Sequence, residues 1–166
     1  MISHARPMVR TMPLSNESWE DVMGERTERA VLNQLIESCR DAERGLRVAA
    51  DQVKSPELQR VLTGLAEQRH AFANELLPHA QRLGGASAAD GTAAAAVHRV
   101  WIRVKARLAS DPDRAVLDEA ARGERHAVHV YDDAVADMIP PESRDLIERQ
   151  DLGVRLARRL VSGLAA

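Results

Sequence analysis

From Leu32 onward the apolar positions recur as Leu32, Leu35, Cys39, Ala42, Leu46, Ala49 and Val53, at a spacing that alternates between three and four. That alternation traces one face of an α-helix, so a first helix is predicted from about Glu25 to Val53. Ser55-Pro56-Glu57 follows, with an N-cap hydroxyl, a proline at the first helical position and a carboxylate against the positive helix end. A second helix therefore restarts after a tight turn and runs antiparallel to the first. It carries Leu58, Leu62, Leu65, Phe72, Leu76 and Leu83 on one stripe, and Gly84-Gly85 supplies the left-handed cap that ends it. Pro78 lies inside this pattern and predicts a kink between residues 74 and 78.

Residues 86–92 read as a small-residue loop, after which Val97, Val100, Trp101, Val104 and Leu108 outline a short connector helix. Asp111-Pro112 opens a third long helix with the seam Leu117, Ala120, Glu124, Ala127, Tyr131, Ala134 and Met138, stopped by Pro140-Pro141. The fourth shows Leu146, Gln150, Gly153, Ala157, Leu160 and Leu164 at the same alternating spacing. Four such helices make an all-α four-helix bundle over residues 19–166, preceded by a tail at 1–18 that has two prolines and no apolar period. The connector decides the topology. A helix of about 27 residues is roughly 40 Å long, and residues 84–111 can span it, which is the ferritin-like connection; a simple up-down bundle is the alternative.

Composition reinforces this reading. The chain has 166 residues, of which only Trp19, Phe72, Trp101 and Tyr131 are aromatic, and it is rich in Ala, Leu, Arg and Glu. Sandwiches, barrels and doubly wound sheets need the β-branched and aromatic content that is missing here. With 23 basic and 25 acidic residues the net charge is -2, so no global field draws the molecule to nucleic acid or an anionic membrane. Arg99, Arg103 and Arg107 form one local basic side on the connector, but no aromatic residues interleave with them, and no nucleic-acid partner is expected. The lone Cys39 excludes a disulfide framework within the chain, and no apolar run approaches the roughly 20 residues of a membrane span. A cytoplasmic location is expected.

The runs LNQLIESCRDAERGLRVAADQV, RHAFANELL with a following LGG, HRVWIRVK and ARGERHAVHVY resemble a bacterial family of ferritin-like four-helix-bundle proteins of unknown function. The specific pieces are Asp41 to Gly45, His98-Arg99 with Trp101, and Gly123-Glu124 followed by Tyr131, within a match over about residues 30–160. The resemblance implies the ferritin-like fold and, the family being uncharacterised, assigns no activity. Better-known relatives of that fold are di-iron carboxylate proteins, which raises iron or manganese as candidate cofactors.

A di-iron bundle takes one carboxylate from each of two helices and a Glu-x-x-His from each of the other two, all pointing inward. Glu67 and His70 have that spacing on the second helix. At about 100° per residue, however, Glu67 falls about 180° and His70 about 120° from the apolar stripe, while Arg69 between them points inward. The fourth helix has no Glu-x-x-His, and Glu148 with Asp151 lies on its outer face. His126, His129 and Asp133 have ligand spacing on the third helix but also face outward, as an adventitious surface site would. No metal or other cofactor is assigned.

Glu124 stands in the centre of the third seam, Glu43 at the edge of the first stripe and Arg69 in the centre of the second. Counted from the first turn, their depths agree to within about three residues, or one helical turn. A buried unpaired charge is too costly to keep, and arginine can bridge carboxylates without a metal. The expectation is a buried Glu43, Arg69 and Glu124 network, with Tyr131 and Gln150 as polar neighbours. Glu28 and His79 share a depth nearer the other end and are expected to pair. Cys39, on the apolar seam with no basic residue one turn away on its face, is expected to be a buried small hydrophobe. Gly153 and Ala157 suggest close helix packing, with a small-molecule site between helices as the other reading. The function expected is non-catalytic, exerted through the surface, a protein partner or self-association; a metal-binding oxidase or storage protein is the alternative.

Overall fold

The computed structural model describes residues 19–85, 110–137 and 139–166. Four helices account for nearly all of them: α1 (Trp19–Gln52), α2 (Pro56–Arg82), α3 (Pro112–Ala136) and α4 (Pro141–Leu164). The tail over 1–18 and the connector helix with Trp101 and its arginines lie outside the described residues.

The ends of the helices are set by the chemistry their sequence announces. At the start of α2 the Ser55 hydroxyl accepts from the Leu58 amide at 3.4 Å, and Asp111 does the same for Arg114 at 3.1 Å at the start of α3. At the end of α2 Gly84 adopts φ +69°, and the Gly85 and Gly84 amides return to the carbonyls of Ala80 and Gln81 at 2.8 and 3.0 Å. These two bonds are the Schellman closure, and the left-handed residue at its centre is why glycine stands there. Pro78 does not interrupt α2, which continues to Arg82. Between α3 and α4, Arg144 donates to the carbonyls of Val135 and Asp137 at 2.8 and 2.7 Å, occupying acceptors the helix end leaves open.

The topology follows from one residue. Asp113, in the first turn of α3, accepts from the backbone amides of Lys54 and Ser55 at 2.7 and 3.1 Å. The start of α3 is thereby tied to the α1–α2 turn, so α2 ends and α3 begins at opposite ends of the bundle. The up-down alternative is excluded. At the same end, Arg114 donates to the carbonyl of Ala166 at 3.1 Å, bringing the end of α4 alongside. Helix α1 packs against α2 and α3, α3 against α4, and the α2–α4 pair makes the least extensive contact of these.

Two apolar clusters fill the interior. One gathers Leu32, Leu35, Cys39, Ala73, Leu76, Ala127, Tyr131, Ile147 and Val154; the other, nearer the α1–α2 turn, gathers Leu46, Ala49, Leu62, Ala66, Val116, Ala121, Ala157 and Val161. On α4 the buried stripe is Ser143, Leu146, Ile147, Gln150, Val154, Ala157 and Val161, whereas Leu160 and Leu164 from the predicted seam are 47% and 38% exposed. The seam expected from spacing is out of phase over this half of the helix. The true stripe is continued by Ile147, Val154 and Val161, each fully buried, which leaves leucines on the outside of the same helix.

Candidate functional site

The boundary between the two clusters is polar. Arg69 on α2 falls between Ala66 and Ala73, and Glu124 on α3 between Ala121 and Ala127, so both side chains enter the core where one cluster gives way to the other. Neither reaches solvent: Arg69 is 0% and Glu124 2% exposed. The guanidinium Nη2 donates to Glu124 Oε2 at 2.5 Å, and Nη1 donates to Gln68 Oε1 at 2.7 Å. Phe72, one turn further along α2, sets its ring 5.8 Å from the guanidinium carbon. Nε of Arg69 is buried without a hydrogen-bond partner among the described residues, so the guanidinium is held through its two terminal nitrogens.

Above this pair runs a chain of uncharged groups that ends on the Glu75 carboxylate. Tyr131 donates its hydroxyl proton to Gln150 Oε1 at 2.8 Å, and the Gln150 amide nitrogen donates to the Phe72 carbonyl at 3.2 Å and to Glu75 Oε2 at 3.0 Å. Cys39 Sγ lies 3.2 Å from the Tyr131 hydroxyl, within hydrogen-bond distance for sulfur. All four helices thus meet at this level. Glycine at 153 belongs to it: a Cβ there would come within 2.8 Å of the Phe72 ring, so the side chain is absent where α4 approaches α2.

Glu43 is not part of the network. Its Oε2 is 3.1 Å from His70 Nδ1 and its Oε1 accepts two hydrogen bonds from Arg47 at 3.1 Å, all at the outer edge of the α1–α2 hairpin. The physical reason is desolvation. At the rim of a helix pair a carboxylate can find cationic partners while still touching water, which costs less than burying a second charge beside Glu124. The expected Glu28–His79 pair is likewise not made. Glu28, 4% exposed, accepts from the Ser143 hydroxyl of α4 at 2.5 Å, and His79 Nδ1 is buried without a partner among the described residues. Ser143 lies one turn before Leu146 and in line with it, but the expected seam starts at Leu146 and leaves this polar residue out. A further buried carboxylate absent from the sequence reading, Glu119, accepts from Arg122 at 2.8 and 2.5 Å.

Burial governs the acid–base character of the site. It raises the Glu124 carboxyl above its ordinary range even though the charge and hydrogen bond of Arg69 pull the other way. The Tyr131 hydroxyl is pushed far up, first by burial and then by Cys39 beside it. The Cys39 thiol is raised to about 11 by burial, only partly offset by its bond to Tyr131. At pH 8 its thiolate fraction should therefore be about a hundredfold below that of an ordinary cysteine, and the thiolate is the reactive form. Labelling by a thiol reagent should be negligible in the native protein and complete in denaturant; rapid native labelling at pH 8 would show the thiol to be accessible.

With this geometry established, comparisons with known proteins place the chain. The family model described as Domain of unknown function (DUF2383) matches residues 27–137. The chain belongs to this family. A search of curated proteins finds no match. Among solved structures, the chain is similar to that of a point mutant of Mycobacterium smegmatis Dps1, at a TM-score of 0.68 and 14% identity, with 87% of this chain and 98% of that chain covered. At that identity the likeness concerns the fold, a ferritin-like four-helix bundle.

Among the described residues of this DUF2383 chain, the candidate di-iron donors are dispersed or already engaged. Glu67 and His70 are exposed, Glu43 is turned to the rim, Glu124 is committed to Arg69, and α4 brings the amide of Gln150 to this depth. Among the described residues no three of His, Cys, Asp and Glu converge as ligands would. His129 and Asp133 approach within 3.7 Å on the surface of α3, 72% and 61% exposed, with His126 on the same exposed face. No described helix is long and apolar enough to cross a membrane.

Proposed function

We propose that this DUF2383 bundle is a non-catalytic cytoplasmic protein whose Arg69–Glu124 pair fills the interior position that a metal centre takes in related folds, and which acts through its exterior. The observation that carries this reading is the position of the guanidinium. A cation fixed at 2.5 Å from the Glu124 carboxylate neutralises it and denies an incoming metal ion its ligand. Nothing among the described residues around the pair offers a reactive alternative: the neighbouring thiol and hydroxyl are both driven toward their protonated forms. A free thiol in a buried site is in keeping with a reducing compartment.

Metal analysis of untagged protein, incubated with ferrous iron or manganous ion and then desalted, tests this. Less than about one ion per ten chains is expected, since a surface His–Asp pair alone does not retain metal through desalting. Stoichiometric retention that Glu124→Gln abolishes would overturn the proposal in favour of a metal-binding oxidase or storage role.

A further inference from the structure

Five large apolar side chains are exposed among the described residues, and four of them, Leu152, Leu156, Leu160 and Leu164, stand every fourth position on α4. Leu152 and Leu156 are 64% and 63% exposed. Leucines at i, i+4, i+8 and i+12 form one continuous ridge on a helix surface, the feature that packs into the matching groove of a second helix at a crossing angle near −50°. A ridge of this kind on an otherwise polar face is not needed for the bundle, whose α4 stripe is already complete with Ile147, Val154 and Val161.

The charges beside the ridge are arranged with a direction. The first half of α4 presents Asp145 and Glu148 outward, and the second half presents Arg159; none of the three makes an ion pair among the described residues. In an antiparallel pair of identical helices, related by a two-fold axis between Leu152 and Leu156, Leu152 meets the partner's Leu156 and Glu148 faces the partner's Arg159. Both matches occur twice, as an isologous interface requires. A parallel arrangement would instead set like charges side by side.

We infer that α4 is the contact surface of a two-fold homodimer in which the leucine ridges of two copies of this chain interlock. This deepens the exterior role proposed above, and its test reads association alone, so it can fail independently of metal content. One helix per copy buries less than the roughly 1,200 to 2,000 Å² of a standard interface, which points to a dimer that forms in the micromolar range. The polar flanks then contribute orientation, since complementary charge selects the antiparallel register over its alternatives.

Sedimentation equilibrium of the full chain between about 1 and 200 µM reads this directly. A monomer–dimer equilibrium is expected, with Leu156→Glu raising Kd at least tenfold while helix content and thermal unfolding are unchanged. Glu148→Arg and Arg159→Glu should each weaken association, and the two together should restore it to within about threefold of the original, because the exchange preserves the pairing. A chain that stays monomeric throughout would overturn the inference and leave the ridge to a different partner. A dimer indifferent to Leu156→Glu, or a double charge exchange no better than its single variants, would overturn it as well.

Discussion

Arg69→Ala is expected to destabilise the bundle by about 3 to 5 kcal/mol at pH 8, the cost of leaving a buried carboxylate without its counter-ion. Glu124 keeps a raised pKa even with Arg69 present, because burial outweighs the attraction. Removing the guanidinium takes away both influences that lower it, so the pKa climbs further. The sign of the pH effect follows. A carboxyl whose folded pKa lies above its unfolded value binds more protons when folded, so its contribution to stability falls as pH rises through the interval between the two values and is recovered below it. The Arg69→Ala defect should therefore be largest at pH 8 and shrink toward pH 5. The paired variant Arg69→Met with Glu124→Gln removes both charges and should recover most of the loss, as buried ion pairs exchanged for neutral groups commonly do. Urea unfolding at pH 5 and pH 8 measures all three chains. A loss below about 1 kcal/mol at both pH values would mean that the pair is solvated, and the site would have to be redrawn.

The parts of this site that periodicity locates are those near the centre of a stripe. Arg69, Glu124, Tyr131 and Gln150 each occupy a position where helix geometry leaves no route to water, and all four are buried. Glu43 lies at the edge of its stripe, where a rotation of a few tens of degrees or a different rotamer decides between core and rim, and its choice is settled by His70 and Arg47 on the outside. Spacing carries no information about which partner wins such a contest. The same limit applies to Glu28, whose depth is legible but whose partner is not: spacing points to His79, and Ser143 holds it. Local signals behave differently. Ser55-Pro56, Asp111-Pro112 and Gly84-Gly85 each end or begin a helix where expected, because caps depend on groups only a few residues apart.

Ile147→Ala should cost about 2 to 5 kcal/mol, whereas Leu160→Ala should cost no more than about 0.5 kcal/mol in dilute solution, although the sequence seam includes Leu160 and passes over Ile147. Ile147 is 0% exposed and belongs to the larger apolar cluster, so truncation leaves a cavity among close-packed neighbours. Leu160 is 47% exposed and has little left to lose. Helix α4 misleads because two apolar stripes share it. Leu146, Gln150 and Ala157 belong to the inner stripe and Leu160 and Leu164 to the outer ridge, and a seam drawn through all of them crosses from one to the other. Alternating steps of three and four allow that crossing, since the step of three from Ala157 to Leu160 turns the direction back by about 60°. The β-branched residues of α4, Ile147, Val154 and Val161, all lie inside, whereas leucine occurs on both sides, Leu146 inside and the four ridge leucines outside. Thermal or urea unfolding of the two variants at a concentration too low for self-association compares them cleanly. Equal losses would mean that the outer leucines are packed within one chain, and both the phase of α4 and the surface inferred from it would be wrong.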